Sequence, residues 1–599
     1  MNDKIKKYIN FNTILNIIIG LIMYIVCRYR LFLGSNYCIN FDVGKTHGYD
    51  SGWFLNNVID FNNFNINKPF TLIKNRAYMW FLLLAHHSHI DLRQFISLFW
   101  IFASLLMFIM LYNITKNKII SIFGFIYICL NPIAFYSVQD INIYRNIIFI
   151  PSITILLSLY ILFYENLKNN KYIITIIIAI FVGLSFVFMF FLTETGIVFI
   201  AIHLGFLLLF IIFSILDSIK IYAFGKRIIK VIIYKLLIVS IPIIIGFIGI
   251  MCYKFVNYRV FGVYEINMRT EGEIAKFISN VQDIESDNTN TYIWCSADEI
   301  DKAYQASETF KKNKKIYQHI KTDPISLAND KVNIHGDFLG WGITNAIELY
   351  IKDYQKTINL FKVINTELEN AFKSGILKKT NKIKFAKTLG RYSIDEIKNE
   401  IIPLFFESFW IMIKLKDLDK FVANSFNIPV DSTGTFFEFF NIKLEYEIVN
   451  CFEYVNKIIY YYSNTHMLLF YMLIINIIVS ISLLFLKIVS RLFNIYTMIF
   501  DKLKIDVRYL IISLMFIIIF LLYLFCISLF NIWLYKATSN YAPLHCYYYG
   551  SMSIVFFIYS VIFSFMSYYN CFAANCGRLM KYLYKNINTI MLKVMKNEK

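Results

Sequence analysis

Runs of about twenty apolar residues recur along this chain, and they restrict what it can fold into more than any other feature. A bilayer core offers no water to backbone N–H and C=O groups, so such runs cross it as helices that satisfy their own backbone. They fall at about 13–33, 95–114, 119–138, 147–164, 173–192, 197–216 and 231–255. After a long polar stretch, three more follow at about 464–488, 509–533 and 551–570. The expectation is an all-α polytopic membrane protein with about ten transmembrane helices. Composition agrees: 58% of residues are hydrophobic, against roughly 45–50% in soluble domains. The first run follows Lys4, Lys6 and Lys7, as a signal peptide would, but no small-residue cleavage site follows and Arg28 and Arg30 close it. It reads as an uncleaved first helix.

Charge orients the helices. The net charge is +19, yet segment 256–463 is close to neutral, so the positive excess sits in the membrane part. Lys116 and Lys118, Lys168 and Lys171, the Lys220–Lys230 loop, the loop from Arg491 to Arg508 and the tail from Arg578 to Lys599 all fall on the side of the N-terminus. Short basic loops stay in the cytoplasm. Both termini are therefore expected there, in a multi-pass protein of the cytoplasmic membrane. Loops 34–94, 139–146, 193–196 and 534–550 then face outward. Three parts result: an N-terminal membrane domain, 1–255, with seven helices and the first outward loop; a mostly helical extracytoplasmic domain, 256–463, between helices seven and eight; and a C-terminal membrane domain, 464–599, with three helices and a basic tail. Within the middle part, the stretch from Ala346 to Phe372 has helical apolar spacing, with Gly375 placed as a C-cap, and a second helical stretch runs from Ser393 to Phe421.

Several function classes are disfavoured. The positive charge lies in short loops rather than on a folded soluble face, so a nucleic-acid partner is not expected. Ten scattered cysteines form no metal or disulfide pattern. No glycine-rich dinucleotide fingerprint is present. The bilayer itself is the expected partner.

Ionisable groups at a membrane boundary are costly unless they line a polar site, which makes them candidates for function. Loop 34–94 carries Asp42, Asp50, Lys74, Arg76 and the histidines His86, His87 and His89; Tyr144 and Arg145 precede the fourth helix; Glu194 stands between the fifth and sixth. Each has a plainer reading. Asp50 could be solvated, Arg145 could cap a helix or meet Asp140, and Glu194 could belong to a buried pair. The histidines lack a carboxylate at ligand spacing and read as interfacial; no metal ligands are assigned. His203 reads as a packed core residue. Trp294, Trp341 and the stretch Phe405–Trp410 read as core rather than as sugar-stacking surfaces. Tyr547–Tyr549 reads as an interfacial aromatic belt.

The order of these residues resembles the GT-C superfamily of membrane glycosyltransferases, and within it a set of bacterial polytopic proteins of largely unassigned substrate. The likeness rests on Tyr49-Asp50 in the first outward loop, Thr71-Leu72-Ile73-Lys74, Tyr144-Arg145, Leu192-Thr193-Glu194, Gly340-Trp341-Gly342-Ile343-Thr344-Asn345-Ala346 and the stretch from Glu367 to Gly375. It departs at Thr195, and Tyr49-Asp50 has no adjacent second acid, which leaves a divalent cation open. The resemblance implies transfer of a sugar from a polyprenyl-phosphate-linked donor to an acceptor on the outer face. Asp50, then Asp42, would be the catalytic base. Lys74, Arg76 and Arg145 would meet the phosphate, and Tyr144 and Glu194 would complete the substrate contacts. A transporter or flippase of a lipid-linked or anionic solute, and a non-catalytic membrane protein with a partner-binding outward domain, remain the alternatives.

Overall fold

The computed structural model describes residues 11–36, 57–59, 62, 76–135, 145–193, 196–221, 226–324, 326–328, 330–421, 438–441, 452–492, 505–537 and 542–569. Among these, nine helices are long and apolar enough to cross a membrane. The chain is a multi-pass, all-α membrane protein. In order, the membrane part contains α1 (Phe11–Asn36), the shorter α2 (Arg76–His87), α3 (Leu92–Thr115), α4 (Lys118–Cys129), α5 (Phe149–Lys168), α6 (Tyr172–Leu192), α7 (Gly196–Ile221) and α8 (Lys226–Phe261). A polar domain follows, with α9 (Gly272–Gln282), α10 (Ala297–Ala306), α11 (Glu308–Lys312), α12 (Lys314–Thr322), α13 (Leu339–Tyr350) and α14 (Tyr354–Lys373). Then come α15 (Ile402–Lys414), α16 (Phe452–Leu492), α17 (Val507–Ala537), α18 (Ala542–Gly550) and α19 (Ser553–Tyr569). The tenth apolar run falls on α19, an apolar helix of 17 residues, shorter than the nine.

The helices differ in what surrounds them. Nearly all of α5 is buried (94% of its most apolar window), whereas α16 presents most of its surface outward (17% buried). Lipid covers an apolar helix as well as protein does, so helices associate through close packing and side-chain hydrogen bonds. The central helices carry the residues for this. Ser158 on α5 bonds the Tyr559 hydroxyl of α19 at 2.6 Å. On α19, Ser564 accepts from Asn476 of α16 at 3.2 Å, and Ser567 meets Ser480 at 2.7 Å. These side chains place α19 and α5 at the centre. The exposed Ile173, Ile177, Phe181 and Leu184 leave one face of α6 to lipid.

A second core lies in the polar domain, formed by residues from Val263 to Leu377. On α9, Ile274, Phe277, Ile278 and Val281 recur at helical spacing and are buried against Phe361, Ile364 and Leu368 of α14. The pattern expected from Ala346 to Phe372 divides between α13 and α14: Lys352 turns left-handed (φ +57°) and Asp353 caps α14 through the Lys356 N–H. Gly375 takes φ +79° just past the end of α14, as a C-cap glycine does. Two short antiparallel pairs, β1 (Ile293–Cys295) with β2 (Ile334–His335) and β3 (Ile383–Lys384) with β4 (Arg391–Tyr392), fix the loops. The domain rests on the end of α17. Trp533 packs beneath Gly336, whose φ is +47° and where a Cβ would come within 2.2 Å of the indole. Trp294, His335, Phe338 and Phe530 surround the same indole or its neighbours. This end of the helices is the domain side; the opposite end is the far side.

Candidate functional site

The site is a cavity of about 350 Å³ between α7 and α17 on the domain side. That volume falls within the range of small-molecule sites. Its α7 wall is Val198, Ala201, Ile202 and Gly205, a face repeating at three and four residues. Its α17 wall is Met515, Ile519, Leu522 and Cys526, with Tyr523, Ile527 and Phe530 beside them. Ala201 and Gly205 are too small to reach α17, and a Cβ added at Gly205 would meet nothing within 4 Å. Ala201, Gly205, Leu522 and Cys526 are all exposed, so the cavity opens sideways toward lipid as a groove. One residue beyond Gly205 the helices meet: the Phe206 and Phe516 rings lie 5.3 Å apart.

The polar members of the lining are few. Arg145, Thr193, Tyr523 and Tyr549 stand among apolar neighbours. Arg145 opens a 3-10 turn, Arg145–Ile148, that leads into α5. Pro151 follows in the first turn of α5, where a missing N–H does no harm. The turn is held from two sides. Asn146 donates to the Tyr548 carbonyl at 2.5 Å, and Trp100 donates to the Ile147 carbonyl at 3.0 Å. The Arg145 guanidinium is buried and lies 5.8 Å from the ring of Phe149, another lining residue. Thr193 ends α6 in an extended conformation, and the chain re-enters α7 at Gly196. Only glycine fits there, since a Cβ would approach the Phe190 carbonyl to 2.2 Å. The result is an apolar groove with a fixed cation at its domain-side end.

Arg76 lies elsewhere. At the start of α2, its Nε points to the Tyr253 hydroxyl of α8 at 3.4 Å and its Nη1 to the Met79 sulfur at 3.3 Å. Burial lowers its proton affinity, and the Tyr253 oxygen partly offsets that. Tyr253 packs on Phe191, close to the end of α6, but Arg76 is not part of the groove lining. Asp42, Asp50, Lys74, Tyr144 and Glu194 lie outside the described residues.

The remaining candidates have structural partners. The His86 ring stacks on Phe439 at 3.8 Å, and its Nδ1 meets the Phe439 carbonyl at 2.6 Å. Among the described residues, no group of three His, Cys, Asp or Glu side chains could hold a metal ion. His203 is buried, bonded to Tyr160 and stacked on Phe186. Trp294 is buried beside Phe530 and Trp533, and Trp341 lies under the Arg269 guanidinium. Tyr547 is not in an exposed belt. It is 1% exposed and donates to the Lys416 carbonyl, because α18 packs inward against α15. Tyr549 lines the groove.

Arg30 carried more than its sequence position suggested. It does not end the first helix but lies within α1, 2% exposed, between the rings of Trp100 (4.9 Å) and Phe135 (4.8 Å). The detectable signal was an arginine inside an apolar run, a costly placement. Compared with known protein families, with curated proteins and with solved structures, the chain has no match.

Proposed function

We propose that this chain is a GT-C-like membrane glycosyltransferase that takes a sugar from a polyprenyl-phosphate-linked donor and passes it to an acceptor outside the cytoplasmic membrane. The supporting observation is the groove itself: apolar, open to lipid, and ended by Arg145. A lipid chain would enter sideways between α7 and α17. Its phosphate would stop at Arg145, where a guanidinium meets phosphate oxygens through paired N–H donors. Negative charge builds on that phosphate as the sugar leaves, and a cation fixed by the anchored Arg145–Ile148 turn stabilises it without reorganising. The base that accepts the acceptor proton is assigned to Asp50, with Asp42 as the alternative. Both termini are then cytoplasmic and the polar domain is outside, near the acceptor.

A flippase is the rival. Phe206 against Phe516, and the Asp217–Arg508 ion pair beyond them, close the path between α7 and α17 on the far side. That arrangement favours access from one leaflet. The test uses purified protein in liposomes with a radiolabelled polyprenyl-phosphate hexose. Wild-type protein should bind the donor and release polyprenyl phosphate when a membrane acceptor extract is added. Arg145→Gln should reduce release by about a hundred-fold, and Gly205→Trp should abolish donor binding by filling the groove. Equal donor binding by wild type and Gly205→Trp would overturn the reading. Transfer of intact donor between leaflets would replace it with the flippase.

A further inference from the structure

We propose that α15 is immersed in the domain-side leaflet, with the β3–β4 hairpin before it at the membrane surface, so that the polar domain returns into the membrane through a re-entrant helix whose partner is the acyl chains of phospholipid.

The segment begins at a capping box, in which Ser393 and Glu396 satisfy each other's backbone N–H groups. A π-turn follows, Ile397–Ile401, ending two residues before Pro403, which has no N–H to give to the preceding turn. Thirteen largely apolar residues then form α15. A run of that length is too short to span a bilayer and suits an interfacial or re-entrant segment. One face of α15, with Leu404, Ser408, Ile411 and Met412, is buried within the membrane core cluster rather than the core of the polar domain.

Its neighbours give its depth. Glu400, just before α15, pairs with Lys536 near the end of α17 at 3.5 Å. The Phe405 ring contacts Phe525, and Phe409 contacts Phe520 and Phe470. From Glu400 to Phe409 the chain descends about 14 Å beside α17 at 1.5 Å per residue, while Glu407, the one carboxylate of α15, accepts from the Tyr535 hydroxyl at 3.5 Å near the domain-side end of α17. Phe470 and Phe520 lie within the spans of α16 and α17.

Among the described residues, the opposite face is left largely open. Ile402, Phe406 and Trp410 recur every fourth residue and are 38, 56 and 42% exposed. On the hairpin side, Ile383, Phe385 and Ile394 are exposed too, with Phe385 6.1 Å from Phe525. This stripe is continuous with the exposed apolar faces of the membrane-spanning helices α16 and α17. Trp410 contacts Phe470, next to the exposed Tyr471 and Ile475 of α16, and the exposed Ile518 and Leu522 lie on α17. Lys414 stands over the Trp410 ring at 5.2 Å, and Lys387 and Lys398 are exposed. Apolar stripes with tryptophan and lysine at the margin are the pattern of interfacial helices.

The test places a photoreactive benzoylphenylalanine at Phe406 in the full chain, held in phosphatidylcholine nanodiscs. Irradiation should give phospholipid adducts on the 402–414 peptide at a yield comparable to the same probe at Ile475. The probe at Val363, exposed on α14 of the polar domain, should give none. No lipid adduct at 406 with a normal yield at 475 would overturn the proposal. If the 406 variant fails to insert, the probe at Ile402 reads the same face.

Discussion

Asp217 of α7 and Arg508 of α17 share two hydrogen bonds, of 2.7 and 2.6 Å, on the far side of the bundle. They lie on the two helices that part to form the groove. Arg508 also holds Asp506 at 2.8 Å, so one guanidinium serves two carboxylates. Removing the cation leaves two partly buried acids with only the longer-range charges of Lys168 and Lys235, which costs about 3 kcal/mol. Arg508→Met should therefore lower the thermal unfolding midpoint in detergent clearly. Asp217→Asn leaves Arg508 with Asp506, so its effect should be about 1 kcal/mol. Equal midpoints for Arg508→Met and wild type would show that this pair does not hold the two helices.

Cys526 reports on the groove independently of any reaction. It is exposed and lines the same groove as Gly205, nearer its domain-side end. A maleimide reacts with the thiolate, which the apolar groove disfavours, so an apolar maleimide should modify Cys526 slowly over hours, and Gly205→Trp should slow that several-fold further. Cys252, exposed on α8 and outside the groove lining, should react equally in both proteins. Peptide mass spectrometry reads both sites in one sample, and parallel slowing at Cys252 would indicate a global change instead.

The polar domain should be more stable in mild acid. Burial pushes the Glu299 carboxyl up to about 7, although hydrogen bonds from Ser296 oppose the shift. Burial, and then Glu271 and Glu273, push Glu265 up to about 7 as well. Both values lie above that of an unfolded glutamate, so the folded state holds its protons more tightly. The associated stability is present below about pH 4.5 and is lost as pH rises through about 7. Hydrogen exchange across 263–377, corrected for intrinsic rates, should show lower protection at about pH 8 than at about pH 5.5. Glu299→Gln, which stays neutral, should flatten that dependence. A protection factor independent of pH would contradict it.

What could be read from the sequence followed the physics of each signal. Length and hydropathy located the long helices, because a bilayer admits few alternatives to them. They could not distinguish α5, enclosed by protein, from α16, mostly facing lipid, since both environments accept apolar side chains. Arg145 was legible as a cation at a helix start. The groove beside it was not: it arises where α7 and α17 meet, about 300 residues apart in sequence. Its trace was the small pair Ala201 and Gly205 on one face of an otherwise bulky helix. Helix α15 was legible as a helix, but its core partners Phe470, Phe520 and Phe525 lie far along the chain, so its place beside the spans was not. Tyr547 likewise reads as a belt residue until α18 is seen to turn inward.

Arg30 offers a test of how a charge is kept inside this bundle. Its guanidinium lies over the rings of Trp100 and Phe135, and its Nε and Nη1 have no hydrogen-bond partner among the described residues. The same Trp100 holds the Ile147 carbonyl, next to the turn that carries Arg145. A desolvated cation over an aromatic ring contributes up to about 2 kcal/mol, and a lysine ammonium cannot stack as a planar guanidinium does. Arg30→Lys should therefore destabilise the protein by about 1–2 kcal/mol. Arg30→Met keeps the side-chain length while removing the buried charge, and such replacements are often neutral. The order of thermal midpoints in detergent should be wild type close to Met, with Lys below both. If Lys matched wild type and Met fell instead, a point charge meeting an anion, rather than stacking, would be what holds Arg30 in place.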